Sequence, residues 1–126
     1  MNTYESAENY LETILVLQNR LGEVRSVDIV NELEFTRPSV SVAMKKLRES
    51  GHIRMDGDGY ISLTESGMKT AQRMFERHTL LTGFLTSLGV DEKTAAQDAC
   101  RIEHVISEQS FEKILDFVSK NFGGAN

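Results

Sequence analysis

The sequence predicts a mainly α fold in two parts, a winged helix-turn-helix over residues 1–63 followed by a purely helical region over residues 64–126. Three observations predict it. Apolar residues recur at helical spacing along most of the chain, one stretch alone switches to a period of two, and positive charge is concentrated on the third helix and the strand after it. With 126 residues, 40% of them hydrophobic, and a single proline, the chain is long enough to bury a core without staples.

The elements follow in order. From Glu8 to Leu21 the apolar positions Leu11, Ile14, Leu15 and Leu17 give a helix that Ser6 can cap and Gly22 ends. "RSVDIVNELEF" predicts a short helix with Ser26 at its N-cap and Val27, Ile29, Val30 and Leu33 facing inward. After a connection over Glu34–Thr36, "TRPSVSVAMKKLRESG" gives a third helix. Thr36 caps it, Pro38 sits in its first turn, Val40, Ala43, Met44 and Leu47 form its buried stripe, and Gly51 supplies a left-handed stop. Ile53 and Met55, then Ile61 and Leu63, alternate with polar residues around Asp56-Gly57-Asp58-Gly59, which predicts a hairpin. A calcium-loop register over the same residues would start at Arg54, a cation where the first carboxylate belongs, and so loses to the hairpin. Thr64 caps a long helix to about Leu88, with more apolar surface over residues 80–88 than one face of a small domain needs. Asp91 caps a helix to Ile106, Ser107 caps a last one from Glu108 to about Lys120, and "FGGAN" reads as a frayed end.

Charge narrows the function. The chain carries a formal charge of −5, yet Arg37, Lys45, Lys46, Arg48 and Arg54 face only Glu49 across residues 37–54, so the acid excess lies everywhere else. A basic island in an acidic chain is the footprint of a local polyanion contact. Arg37, Pro38, Ser39 and Ser41 open the third helix, where base edges are read, while Lys45, Lys46, Arg48 and Arg54 suit phosphates of double-stranded DNA. The competing reading is a tri-helical protein-interaction module with a solvated charged face. No stretch approaches the roughly 18 apolar residues of a membrane span, and the acidic start is unlike a secretion signal, so a cytoplasmic protein without a membrane partner is expected. One cysteine closes no internal disulfide and fits a reducing compartment.

That cysteine lies in "DACRIEHVIS". Positions i, i+3 and i+4 share a helix face, so Cys100, Glu103 and His104 project together. The trio can ligate a metal, support a nucleophile, or be a small core thiol beside a terminal histidine. A thiol hydrolase lacks an oxyanion loop here and would place its nucleophile in mid-helix, so no enzyme and no small-molecule substrate are expected. A redox switch at Cys100 that needs no metal is the alternative within regulation. Metal binding gains if other helices contribute, and His78, polar amid an apolar run, and Glu12 are candidates.

"SAENYLETILVLQ", "RPSVSVAMKKLRESGHI", "ERHTLLTGFLTSLGVDEKT" and "DACRIEHVIS" together resemble the DtxR/MntR family of metal-dependent transcriptional repressors, in a short form without the SH3-like domain of longer members. The resemblance implies a homodimer in which each subunit pairs a winged-helix domain with a helical metal-binding and dimerisation domain, bound to a palindromic operator. By position it implies the ligand set Glu12, His78, Cys100, Glu103 and His104, with Asn9 at a further ligand position. Asn9 stands where manganese-sensing members carry aspartate and iron-sensing members methionine. Cys100 follows the iron-sensing branch and Glu12 the manganese-sensing one, while Thr82 and Ala96 replace ancillary-site ligands of the iron-sensing branch. Thiolate ligation places Fe²⁺ first, with Mn²⁺, Co²⁺ or Zn²⁺ as alternatives. The expected role is control of iron or manganese homeostasis.

Overall fold

The computed structural model describes residues 6–121. In chain order these form α1 (Ala7–Leu21), α2 (Ser26–Leu33), α3 (Arg37–Glu49), β1 (Ile53–Met55), β2 (Ile61–Leu63), α4 (Glu65–Ser87), α5 (Glu92–Val105) and α6 (Glu108–Asn121). The frayed end expected at Phe122–Asn126 lies outside the described residues. The chain divides into two compact units within α4, between Phe75 and Glu76.

In the first unit the caps explain where the helices begin. The Ser6 hydroxyl accepts from Asn9 N at 3.1 Å and the Thr36 hydroxyl from Ser39 N at 3.2 Å, each satisfying an amide that has no partner within its helix. α2 departs from expectation. Its N-cap is Arg25, whose backbone N–H is held by Asp28 Oδ2 at 2.9 Å, and Ser26 is already helical. Val27, expected inside, is 38% exposed, because an eight-residue helix can turn only one narrow stripe inward and Ile29 and Leu33 occupy it. A helix that short is marginal alone. It persists because Ile29 joins Leu11, Ile14, Leu17, Val40 and Met44 in one apolar cluster, each such side chain contributing roughly 1.5–3 kcal/mol on burial.

β1 and β2 pair antiparallel, Arg54 opposite Ser62. Their turn is closed by Asp56, whose Oδ1 accepts from Asp58 N at 2.9 Å and Tyr60 N at 3.0 Å. Val24, between α1 and α2, adds a bridge through its carbonyl to Ile61 N at 2.7 Å, a third edge that a single residue gives no periodicity to announce.

The second unit comprises the rest of α4 with α5 and α6. Asp91 caps α5, its carboxylate accepting from Thr94 Oγ1 at 2.7 Å and Thr94 N at 3.2 Å. α5 stops at Val105, one residue short of expectation, and Ile106 takes an extended conformation. Within α4, Leu81 is 2% exposed, and Phe84 meets Phe117 edge-to-face at 6.3 Å, so the surplus apolar surface expected over residues 80–88 is partly absorbed internally. Leu88 alone there stays well exposed, at 61%. No helix among the described residues is long and apolar enough to cross a membrane.

Candidate metal centre and nucleic-acid interface

α5 begins at the Asp91 cap, and its periodicity then brings Ala95, Ala99, Cys100 and Glu103 to its buried side. The Glu103 side chain is fully buried at 0% exposure. Its Oε1 lies 2.9 Å from His78 Nδ1 of α4, and its Oε2 lies 3.6 Å from Nε2 of His104, whose side chain is 1% exposed. Cys100, one turn earlier, is 6% exposed. A carboxylate removed from water is costly unless positive charge or several donors face it, and here two imidazoles converge on it. A carboxylate and two imidazoles thus meet here, with the Cys100 thiol one turn earlier on the same buried side of α5. That donor set fits a divalent transition metal. Imidazole and carboxylate serve iron, manganese, cobalt and zinc alike, and sulfur moves the preference toward the softer members.

Of the other sequence-predicted ligands, Asn9 and Glu12 lie on α1 in the first unit. They are three residues apart on one helix face and buried at 5% and 8% exposure. Asn9 Nδ2 has no hydrogen-bond partner among the described residues.

The basic island occupies the exposed side of α3 and β1. Arg37, Pro38, Ser41, Lys45, Lys46, Arg48 and Arg54 are all exposed. Ser39 is half-buried, its hydroxyl accepting from Thr36 Oγ1 at 3.0 Å, so it belongs to the cap more than to the outer surface. Val40, Met44 and Leu47 anchor the opposite side of the helix. None of the five island cations makes an ion pair among the described residues. Their charge is therefore available to an external polyanion.

Sequence reasoning missed Arg77. It lies at a core position of α4, in the 3.6-residue stripe through Met74 and Leu81, and is 7% exposed. A charged residue at an apolar register position was the available signal.

Comparison with known proteins agrees with both regions. Residues 2–63 match the family profile described as iron dependent repressor, N-terminal DNA binding domain, and residues 64–121 match iron dependent repressor, metal binding and dimerisation domain. An HTH-type transcriptional regulator of Methanocaldococcus jannaschii is 31% identical over 118 residues, covering 92% of this chain and 94% of its own. The transcriptional regulator MntR of Salmonella typhimurium is 34% identical over 117 residues, covering 93% of this chain and 74% of its own. Among solved structures, a manganese-dependent transcriptional repressor in complex with manganese superposes with a TM-score of 0.83 at 27% identity, covering 90% of this chain and 53% of that one. The chain spans about half the length of several of the solved structures it matches. With profiles matching nearly its whole length, the chain belongs to the iron-dependent repressor family, the DtxR/MntR group of metal-dependent, DNA-binding transcriptional repressors.

Proposed function

We propose that this protein is a metal-activated repressor of metal-homeostasis genes, acting in the cytoplasm as a homodimer on a palindromic operator. The observation that carries the reading is Glu103, a wholly buried carboxylate facing two imidazoles one helical turn from Cys100, in a chain whose other unit presents a basic helix free of ion pairs among the described residues. In this reading Glu12, His78, Cys100, Glu103 and His104 hold the ion, with Asn9 at a further ligand position. A bound divalent cation would supply positive charge to the buried carboxylates and the sulfur. The thiolate favours Fe²⁺, with Co²⁺ and Zn²⁺ next and Mn²⁺ served by the oxygen and nitrogen donors.

The protein's own residues account for the response. Glu12 belongs to α1 of the DNA-binding unit, and the remaining ligands belong to α4 and α5 of the other. Engaging both sets restricts how α3 is offered to DNA. In a two-fold dimer the two α3 helices must address half-sites about 34 Å apart. An ordering cost met beforehand by metal appears as tighter DNA binding. On α3, Arg37, Pro38, Ser39 and Ser41 lie toward the base edges, while Lys45, Lys46, Arg48 and, on β1, Arg54 take phosphates. Burial of Cys100 at 6% exposure suits a ligand better than a thiol that must meet an oxidant or a substrate.

The test is DNA binding to the protein's own upstream region across a series of Fe²⁺, Mn²⁺, Co²⁺ and Zn²⁺, repeated with His104→Ala. Wild-type affinity should rise with metal and the variant should lose that rise. Equal, metal-independent binding by both proteins defeats the reading.

A further inference from the structure

We propose that Arg77 is a positioning residue for the metal ligands, fixing the end of α5 that bears Glu103 and His104 and tying it to α6; the inference rests on the metal reading above. One guanidinium makes contacts to two other helices of the second unit. Its Nη1 donates to the backbone carbonyls of Glu103 at 3.1 Å and Ile106 at 3.2 Å. Its Nη2 donates to Glu108 Oε1 at 2.7 Å, and its Cζ lies over the Phe111 ring, 5.1 Å from the centroid.

Two features separate this from ordinary packing. The last carbonyls of a helix have no partner within it, and Arg77 satisfies one of these on α5 and another just beyond its end, with positive charge at the negative end of the helix dipole. The position is also one where the α4 stripe of Met74 and Leu81 asks for an apolar side chain. Taking a guanidinium out of water costs several kcal/mol unless its donors are directed, so a leucine would hold the core more simply. The charge is directed instead at the backbone of a ligand. Arg77 also directly precedes His78, so one residue is bonded to one ligand and hydrogen-bonded to the main chain of another. Its contacts to Glu108 and Phe111 make α6 respond to any shift of that corner.

The experiment is titration of the full chain with Co²⁺, followed by the cobalt ligand-field and thiolate charge-transfer absorption, in wild type, Arg77→Gln, Arg77→Lys and Glu108→Gln. Arg77→Gln should weaken Co²⁺ binding about tenfold or more, in the range seen when groups that orient metal ligands are removed. It should also change the ligand-field band at saturation, and Arg77→Lys should restore the band in part. Glu108→Gln removes only a partner whose side chain is 62% exposed, so the fold survives, and the affinity should fall about threefold. A wild-type chain that forms no saturable Co²⁺ complex overturns the metal reading and this inference with it. A normal wild-type complex whose affinity survives in Arg77→Gln, or whose saturated band does, overturns this inference alone. If Arg77→Gln fails to fold, unchanged affinity in Glu108→Gln overturns it.

Discussion

Glu103 shows how much a single side chain can demand. Its carboxylate is fully buried between His78 and His104, an arrangement that is expensive for an isolated protein and natural around a cation. Glu103→Gln keeps the shape and removes the charge, so the metal-free protein should be as stable as wild type or more so. The gain from metal should vanish. A ligand at a hundred times its dissociation constant stabilises by about 2.7 kcal/mol, which wild type should show as a raised Tm with Mn²⁺ or Co²⁺. A variant whose Tm rises as far as wild type's contradicts the assignment. The spacing of Cys100, Glu103 and His104 was legible in the sequence because a helix face has a fixed period. His78 was legible as a polar break in an apolar run. Arg77 left only its apolar register position as a signal, and its role needs the carbonyls at the end of α5 and Glu108 of α6 seen around it.

At the scale of elements, most boundaries were written in cap residues, and the exceptions arose where tertiary packing decided. α2 has no strong cap side chain of its own and shifted its inward face, leaving Val27 out. The start of α4 depends on a close approach: a Cβ on Gly67 would lie 2.0 Å from the carbonyl oxygen of His52, which is backbone and cannot yield. Gly67→Ala should therefore destabilise by about 1–3 kcal/mol, measured by urea denaturation, and an unchanged midpoint would refute the contact. α5 depends on Asp91. The hydrogen bond from the Thr94 side chain, then that from its backbone, holds the Asp91 carboxyl below its ordinary value of 3.8. A depressed folded pKa contributes stability that is present above the unfolded value and lost as pH falls through the folded one. Asp91→Ala should thus lower Tm at pH 7, and the gap to wild type should narrow below about pH 4. A gap of the same size at pH 3 would mean that the ionised cap contributes nothing.

For the whole molecule, the fold class and the basic island were readable from periodicity and charge, as was surplus apolar surface over residues 80–88, of which Leu88 alone stays well exposed. Exposed apolar side chains gather in the C-terminal part of the chain, with Leu88 at 61%, Val105 at 74%, Leu115 at 44% and Phe117 at 48%. Helical periodicity reveals an apolar face and not what covers it, and α6, amphipathic in sequence, has no fully buried residue among the described residues. A second copy is the occupant the family relationship supports. Leu115→Asp should convert dimer to monomer in sedimentation velocity with helicity unchanged, and an unaltered mass would move the interface elsewhere.

The central claim is that metal and DNA act on one equilibrium, and linkage requires each to change the other's affinity by the same factor. The most direct measurement is the dissociation constant for Fe²⁺ or Mn²⁺ of the free protein and of the protein saturated with its own upstream DNA. The account predicts tighter metal binding in the complex, by about tenfold or more, and no such difference in Glu12→Gln. Equal constants with and without DNA in wild type would contradict it.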